Sequence, residues 1–353
     1  MRLEYKYRYN FLNYNSILLN LFNDFKKDKI DTANKHIILH MLGPSPDLAN
    51  FDYRRFKLFK YLNMNKNSDT VIIPIFTEDI RYLRQKSINI IKQAEICIIS
   101  NPNILYPLLV LLNPDCKIYY DKTDYWKCDD SEAIEKADKI ICSSKFIYDE
   151  LPEFAKLKAN VVINGSTRSE IIHCNNKFDK LSAVYAGIYL NKVDLKYLYN
   201  FIKNNSGIDV YLFCCNNKNL DEEAMEYYDL ITTLPNVIIN DVIDYNDLLK
   251  FLSRCHVGLL PLRNDNKWTK GMFSLKIFDY LIADIPCYYI NSDNYNDFDG
   301  ICCFNGDKYD IKEVVSLWNK SNIDKNKILK DNLWENKFKE IVNIFGLKGY
   351  LKS

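Results

Sequence analysis

Short, almost uninterrupted apolar runs recur along this chain, and each gives way to a segment with helical periodicity. Runs of strand length fall at His36–Leu42, Thr70–Ile75, Ile96–Ser100, Lys117–Tyr120, Lys139–Cys142 and Asn160–Ile163. Helix-like segments such as Tyr53–Leu62 and Ile80–Gln93 separate them. A strand that is apolar on both faces needs cover on both faces, so the alternation predicts a parallel sheet between two layers of helices. Asp129-x-x-Glu132 has the form of a capping box opening the helix before Lys139.

The alternation pauses at Asn164-Gly165-Ser166-Thr167 and at the polar stretch Asn175-Asn176-Lys177. It then resumes, with strands expected at Ala183–Ile188, Asp209–Cys214, Asn236–Ile239, His256–Leu260, Cys287–Ile290 and Ile301–Phe304. Helices are expected at Leu195–Lys203, Asn246–Arg254, Ser274–Ala283 and Ile311–Asn319, and one last helix over roughly Lys327 to Ile344. Two βα series imply an α/β protein of two doubly wound, Rossmann-like parallel-sheet domains facing across a cleft. We expect domains at 1–165 and 166–325, with 326–353 packing back toward the first. The 353 residues suit about two domains of ~150 residues.

Composition removes several classes of function. Hydrophobic residues make up 48% and charged residues 26%, which excludes a mostly disordered chain. Lys+Arg number 47 against 46 Asp+Glu, so no basic surplus points to nucleic acid. No apolar run nears the ~20 residues of a membrane-spanning helix; the longest, Ile104 to Leu112, contains Pro107. The start, Met1 to Lys6, lacks the apolar core of a signal peptide, so a cytoplasmic protein is expected. The Lys/Arg residues near the N-terminus are compatible with peripheral contact with the inner membrane face. None of the 11 cysteines forms a C-x-x-C pair, and a disulfide framework is not expected in such a chain.

Ligands of doubly wound sheets bind beyond the carboxyl ends of the strands, so the loops after strands matter most. Pro261 to Asp279 follows one strand and leads into a helix, carrying Arg263, Lys267 and Lys270. With Ser274 as N-cap, the helix start and these cations would suit a diphosphate. Lys276 sits in its first turn, and Asp279 one turn on could reach a ribose diol. A solvated loop before an amphipathic helix is the alternative on residue types alone.

The order of pieces narrows this. Leu248-x-x-Phe251-Leu252, His256-Val257-Gly258-Leu259-Leu260-Pro261-Leu262 and Ser274-Leu275-Lys276-Ile277-Phe278-Asp279-Tyr280-Leu281 together resemble the donor-nucleotide region of GT-B glycosyltransferases. The bacterial exopolysaccharide and teichuronic-acid-type members, including glucuronosyltransferase-like ones, are the most similar. Tyr120-Asp121-x-x-Asp124-x-Trp126, Ala137-Asp138-Lys139-Ile140, Val162-Ile163-Asn164-Gly165, Val184-Tyr185-Ala186-Gly187 and Leu234-Pro235-Asn236-Val237 extend the likeness in order, from about Ile37 to Pro286. The departures are Asp279 for the family's glutamate, Asp284 for a glycine before Pro286, Asp241 for a glycine, and Gly271 where retaining members often carry an acid.

The resemblance implies a glycosyltransferase using a nucleotide sugar, with a UDP-sugar expected, and a hydroxyl of a glycan or lipid-linked molecule as acceptor. The resemblance also implies no cofactor, since the nucleotide sugar is a substrate, and no metal, since GT-B donors are generally held without one. Lys276, Asp279, Ser274, Leu275, Arg263, Lys270 and Gly187 would bind the donor, with Lys192 a further phosphate contact. Gly43, Arg54 and Arg55 would meet the acceptor, unless the arginines are a plain surface pair. An inverting reaction, slightly favoured by Gly271, needs a carboxylate base. Asp124 is the expected base and Asp121 orients its loop; the alternative is that both cap a turn before Trp126. A non-catalytic sugar-nucleotide binder or scaffold and a nucleotide-sugar 2-epimerase are the rival functions.

Other signals point to structure. Asp297-Phe298-Asp299 reads as a turn, and the four histidines show no ligand spacing such as H-x-x-x-H with an acid partner, His40 reading as a core residue. Cys214-Cys215 and Cys302-Cys303 alternate across strands and cannot share a metal. There is no G-x-G-x-x-G and no P-loop.

Overall fold

The computed structural model describes residues 32, 35–43, 54–76, 85–100, 110–125, 129–174, 176–187, 190–213, 220–241 and 243–352. It divides into two compact units. The first comprises Met1–Ile163 and Glu335–Ser353, the second Asn164–Trp334. No helix among the described residues is long and apolar enough to cross a membrane.

The first unit is built on strands β1 (His36–Gly43), β2 (Thr70–Phe76), β3 (Ile96–Ile99), β4 (Lys117–Lys122), β5 (Lys139–Cys142) and β6 (Ala159–Val161). They form one parallel sheet in the order β2-β1-β3-β4-β5-β6. Central β1 buries Ile37, Ile38, Leu39, Met41 and Leu42, side chains that alternate between both faces. Helices α1 (Arg54–Asn65), α2 (Gln85–Gln93), α3 (Ser131–Lys136), α4 (Lys145–Asp149) and α5 (Glu153–Lys156) connect them. Leu58, Phe59 and Leu62 on α1 are fully buried, each contributing about 1.5–3 kcal/mol of burial.

The second unit repeats the plan with β7 (Ser182–Ala186), β8 (Asp209–Phe213), β9 (Val237–Asn240), β10 (Val257–Pro261), β11 (Cys287–Ile290) and β12 (Cys303–Asn305). The order is β12-β11-β10-β7-β8-β9, again parallel. Its helices are α6 (Leu195–Asn204), α7 (Glu222–Thr232), α8 (Tyr245–Leu252), α9 (Lys267–Gly271), α10 (Lys276–Ile282), α11 (Ile311–Lys320) and α12 (Lys325–Asp331). The sequence pattern anticipates every strand to within about two residues. It misses α4, α5, α7 and α9, which are short or carry few buried residues. Parts of expected elements at Tyr53, Ile80, Ile188 and Cys214 lie outside the described residues, as does Cys215.

Two local expectations need correction. The single helix expected over Lys327 to Ile344 is two, α12 and α13 (Trp334–Phe345). The break arises because Ser166 N donates to Asn332 O at 2.6 Å and Trp334 N donates to Ser166 O at 3.0 Å. Those bonds replace helical ones, and they fit only because Gly165 has no side chain: a Cβ there would meet the Trp334 backbone at 2.8 Å. α13 then joins the first unit, with Phe345 stacked on Tyr119 and Phe338 against Tyr61. The capping box is also altered: the N-cap of α3 is Asp130, while Asp129 accepts the N–H of Ser131.

Asp284, standing where the resembling family has glycine, takes the left-handed conformation at φ 56°. Its carboxylate accepts from Lys325 Nζ at 2.7 Å, which helps hold an aspartate in a position suited to glycine. The Asp297–Asp299 segment spans the end of a 3-10 turn, and Asp299 accepts from Asn305 N and Lys308 Nζ.

α10 lies directly on β10. A Cβ on Gly258 would come within 2.3 Å of the Tyr280 ring, so the helix sits closer to the strand than any side chain permits. Gly258→Ala is therefore expected to lower stability by about 1–3 kcal/mol, read as a drop in urea midpoint at unchanged slope.

Candidate functional site

Each sheet has a topological switch point, where successive strands step away in opposite directions, and in sheets of this kind ligands bind beyond the strand ends there. In the second unit the switch lies between β7 and β10. Gly187 follows β7, Lys192 lies five residues on, and α10 starts with Lys276. The structure brings these together. A Cβ on Gly187 would lie 2.9 Å from Lys276 Cε and 2.5 Å from the Tyr185 hydroxyl, so only glycine leaves this approach open.

Lys276 Nζ stands 5.5 Å from the Tyr185 ring centroid, and Lys192 Nζ 4.2 Å from that of Trp268. The environment pushes the Lys276 ammonium down to about 8, first through loss of water and then through the like charge of Lys192, with Asp279 opposing. Two ammonium groups that repel each other at a switch point attract an anion.

Asp279, in the first turn of α10, accepts a hydrogen bond from the Tyr245 hydroxyl at 2.6 Å. Tyr245 is the first residue of α8, and its hydroxyl also lies 3.0 Å from Thr167 Oγ1. Asn164 Nδ2 donates to Phe273 O at 2.8 Å, tying residues just after Ile163 to the loop before α10.

Ser274 is buried, but the expected cap geometry differs. Leu275 is the N-cap of α10, and Ser274 Oγ accepts only a long bond, 3.4 Å, from Lys276 N. Ser274 N donates to the Tyr295 hydroxyl at 3.1 Å, which anchors the loop instead. Arg263 faces carboxylates: it donates to Asp265 at 2.9 Å through Nε and to Asp221 at 2.8 Å. Its backbone still joins the site, since its N–H donates to Lys192 O. Lys270 is exposed at the end of α9, where its carbonyl accepts from Asn294.

In the first unit the switch lies between β1 and β3. Gly43 ends β1, while Pro44, Ser45, Pro46 and Tyr53 lie outside the described residues. His40 is fully buried, its Nε2 lying 2.8 Å from Ser100 Oγ, and burial pushes the ring down to about 3, so it stays neutral.

Arg54 and Asp121, expected in separate roles, are partners. Arg54 Nη2 lies 2.8 Å from Asp121 Oδ1, Nε donates to Oδ2 at 3.2 Å, and Nη1 donates to Val162 O. Both side chains are buried. Burial pushes the Asp121 carboxyl up, and the Arg54 guanidinium opposes the rise. The pair pins α1 to β4 and to the segment after β6. Arg55 is buried beside it, its guanidinium 5.0 Å from the Phe56 ring centroid.

Asp124 lies two residues beyond β4 and is half-buried; Trp126 lies outside the described residues. The strand below it is braced by Asp130, which accepts from the Tyr120 hydroxyl at 2.6 Å and from Lys122.

Sequence reading did not single out Tyr245, Thr167, Tyr185 or Trp268. Tyr245 had one signal, its place directly after the N-cap Asp244 and before an apolar helix face.

No protein-family model and no curated protein sequence matches the chain. Solved structures do. The apo form of the lipopolysaccharide outer core galactosyltransferase WaaB is 13% identical, with 88% of this chain and 99% of that one covered at a TM-score of 0.63. Anabaena HepE in complex with UDP-glucose is 10% identical over 88% and 99%, with a TM-score of 0.63. A glycosyltransferase from Rickettsia africae is 12% identical over 89% and 99%, with a TM-score of 0.61. At these identities the likeness establishes the fold: the chain has the GT-B architecture of two parallel-sheet Rossmann-like units.

A buried ion pair that loses one member leaves an uncompensated charge. Arg54→Ala is expected to cost about 3–5 kcal/mol in urea unfolding. Lys145→Ala, which breaks the exposed pair with Asp149, should leave the urea midpoint unchanged.

Proposed function

We propose that the chain is a glycosyltransferase whose second unit holds a nucleotide-sugar donor, a UDP-sugar, at the β7/β10 switch point. The observation that carries this reading is the pairing of Lys276 with Lys192 beside Gly187, with Asp279 one turn along α10. The backbone at Gly187 lets a diphosphate come close, and the two ammonium groups take up its charge. Asp279 accepts from the ribose hydroxyls. HepE, of the same fold, has been seen with UDP-glucose, which favours UDP as the nucleotide.

In the reaction the bond between the sugar's anomeric carbon and the diphosphate oxygen breaks as the acceptor hydroxyl oxygen attacks. Negative charge grows on the leaving diphosphate, where Lys192 and Lys276 already stand, and fixed charges stabilise it without reorganising. Their charge does the work that a divalent cation does in metal-dependent transferases. Asp124 takes the acceptor proton, and a single displacement inverts the anomeric centre. The acceptor is a hydroxyl of a glycan or lipid-linked molecule bound by the first unit near Gly43 and Arg55. Asp284 keeps the turn that the family builds with glycine, so this departure does not weigh toward a non-catalytic protein.

A ligand of the folded state raises its stability, by about 2.7 kcal/mol at a hundredfold excess over Kd. UDP and one UDP-sugar should raise the melting temperature of the wild type; Lys276→Ala should abolish the shift and Asp279→Ala should reduce it. No shift with any nucleotide would overturn the reading.

The pH dependence has a definite sign. Lys276 binds the diphosphate in its charged form, which it loses as pH rises through about 8. UDP affinity should thus fall by up to about tenfold per pH unit above that point. Lys276→Arg, charged throughout, should flatten the profile between pH 7 and 10.

Asp124→Asn should bind UDP normally and lose at least about a hundredfold in transfer rate, the usual worth of a general base. Full turnover in that variant would remove Asp124 from the mechanism.

A further inference from the structure

We propose that Tyr245 is a positioning residue for Asp279 and that, through it, Tyr245 sets the preference of the donor site for ribose over deoxyribose. The proposal rests on the donor reading above and goes beyond it, to a residue and a specificity.

Asp279 has the short side chain of an aspartate, so its carboxylate stays close to α10. A short acid near a ligand must be aimed, because it cannot adjust along its own length. The Tyr245 hydroxyl does this from a second helix. It donates to Asp279 Oδ1 at 2.6 Å, a short bond of the charge-assisted kind. The hydroxyl is itself oriented by Thr167 Oγ1 at 3.0 Å, from the segment just after Ile163. Asp279 is thereby held between α10, which carries it, and α8, which carries the phenol.

The chemistry of the phenol suits a permanent donor. Burial and the Asp279 charge push its ionisation far above the ordinary tyrosine value, so it keeps its proton at any working pH. With one carboxylate oxygen fixed by Tyr245, the plane of the carboxylate is set. A ribose hydroxyl that meets this plane finds a prepared acceptor. A deoxyribose leaves this half-buried carboxylate without that bond, which weakens its binding.

The test is isothermal titration of UDP, 2′-deoxy-UDP and 3′-deoxy-UDP into the wild type, Tyr245→Phe, Thr167→Ala and Asp279→Asn. The wild type should bind UDP at least about tenfold more tightly than one of the deoxy analogues. Tyr245→Phe keeps the ring and removes only the hydroxyl. It should weaken UDP while leaving that deoxy analogue unchanged, bringing the two within about threefold, as Asp279→Asn should. Thr167 is exposed and its alanine variant is not expected to disturb folding; it should reduce the ratio in the same direction by a smaller factor. A packing role would weaken UDP and its deoxy analogues equally.

If both Tyr245→Phe and Thr167→Ala bind UDP with the wild-type ratio, or if the wild type itself shows no ribose preference, the proposal is overturned while the donor reading stands. If the wild type binds none of the three, both fall.

Discussion

The ring of Tyr280 lies flat on the bare backbone of Gly258, and the aim of the candidate donor site follows from that contact. The Tyr280 hydroxyl donates to Leu259 O at 2.9 Å, so the helix is tied to the strand through polar as well as apolar atoms. With α10 held at that height, Lys276 reaches Gly187 and Asp279 reaches Tyr245. A larger residue at position 258 would lift the helix and carry both side chains away from their partners. The close approach of helix and sheet is thus a condition of the chemistry as well as of packing.

The two units treat buried charge in opposite ways. In the first, Arg54 and Asp121 neutralise one another out of water, and Lys122 meets Asp130. Such pairs specify how elements dock and leave little net field. In the second, Lys192 acts on Lys276 as a like charge, with Asp279 opposing. That contrast supports placing the proposed donor site in the second unit.

The fold was legible because the signals for it are local. An apolar run such as Ile96–Ile99 can only be covered on both faces, and twelve such runs in two series leave few architectures. The site was legible in part. Gly187, Lys276 and Asp279 lie beside loops after strands, where the architecture itself says to look. Arg54 and Asp121 show the limit: sequence reading put them in separate roles, and only the fold shows that they meet across 67 positions of chain. Tyr245 escaped for the same reason, since its hydroxyl finds Asp279 34 residues away. The break at Asn332–Leu333 was hidden because its cause is Ser166, far off in sequence, which captures backbone bonds that the helix would otherwise make.

The second unit is one continuous stretch, Asn164–Trp334, whereas the first is assembled from two pieces that flank it. On the ribosome the order of emergence therefore differs from the order of completion. The six strands of the first sheet appear early, yet Phe338, Ile341 and Phe345, buried in that unit, are made only after the whole second unit. During the intervening synthesis Tyr119 on β4 and Tyr61 on α1 are bare of their last helix. The second unit can reach its final form while the first is still waiting, so the part made last to first is finished first. Nascent chains of this topology thus expose a specific apolar surface for the time it takes to translate about 170 residues, at ~5–20 residues per second some 10–30 seconds.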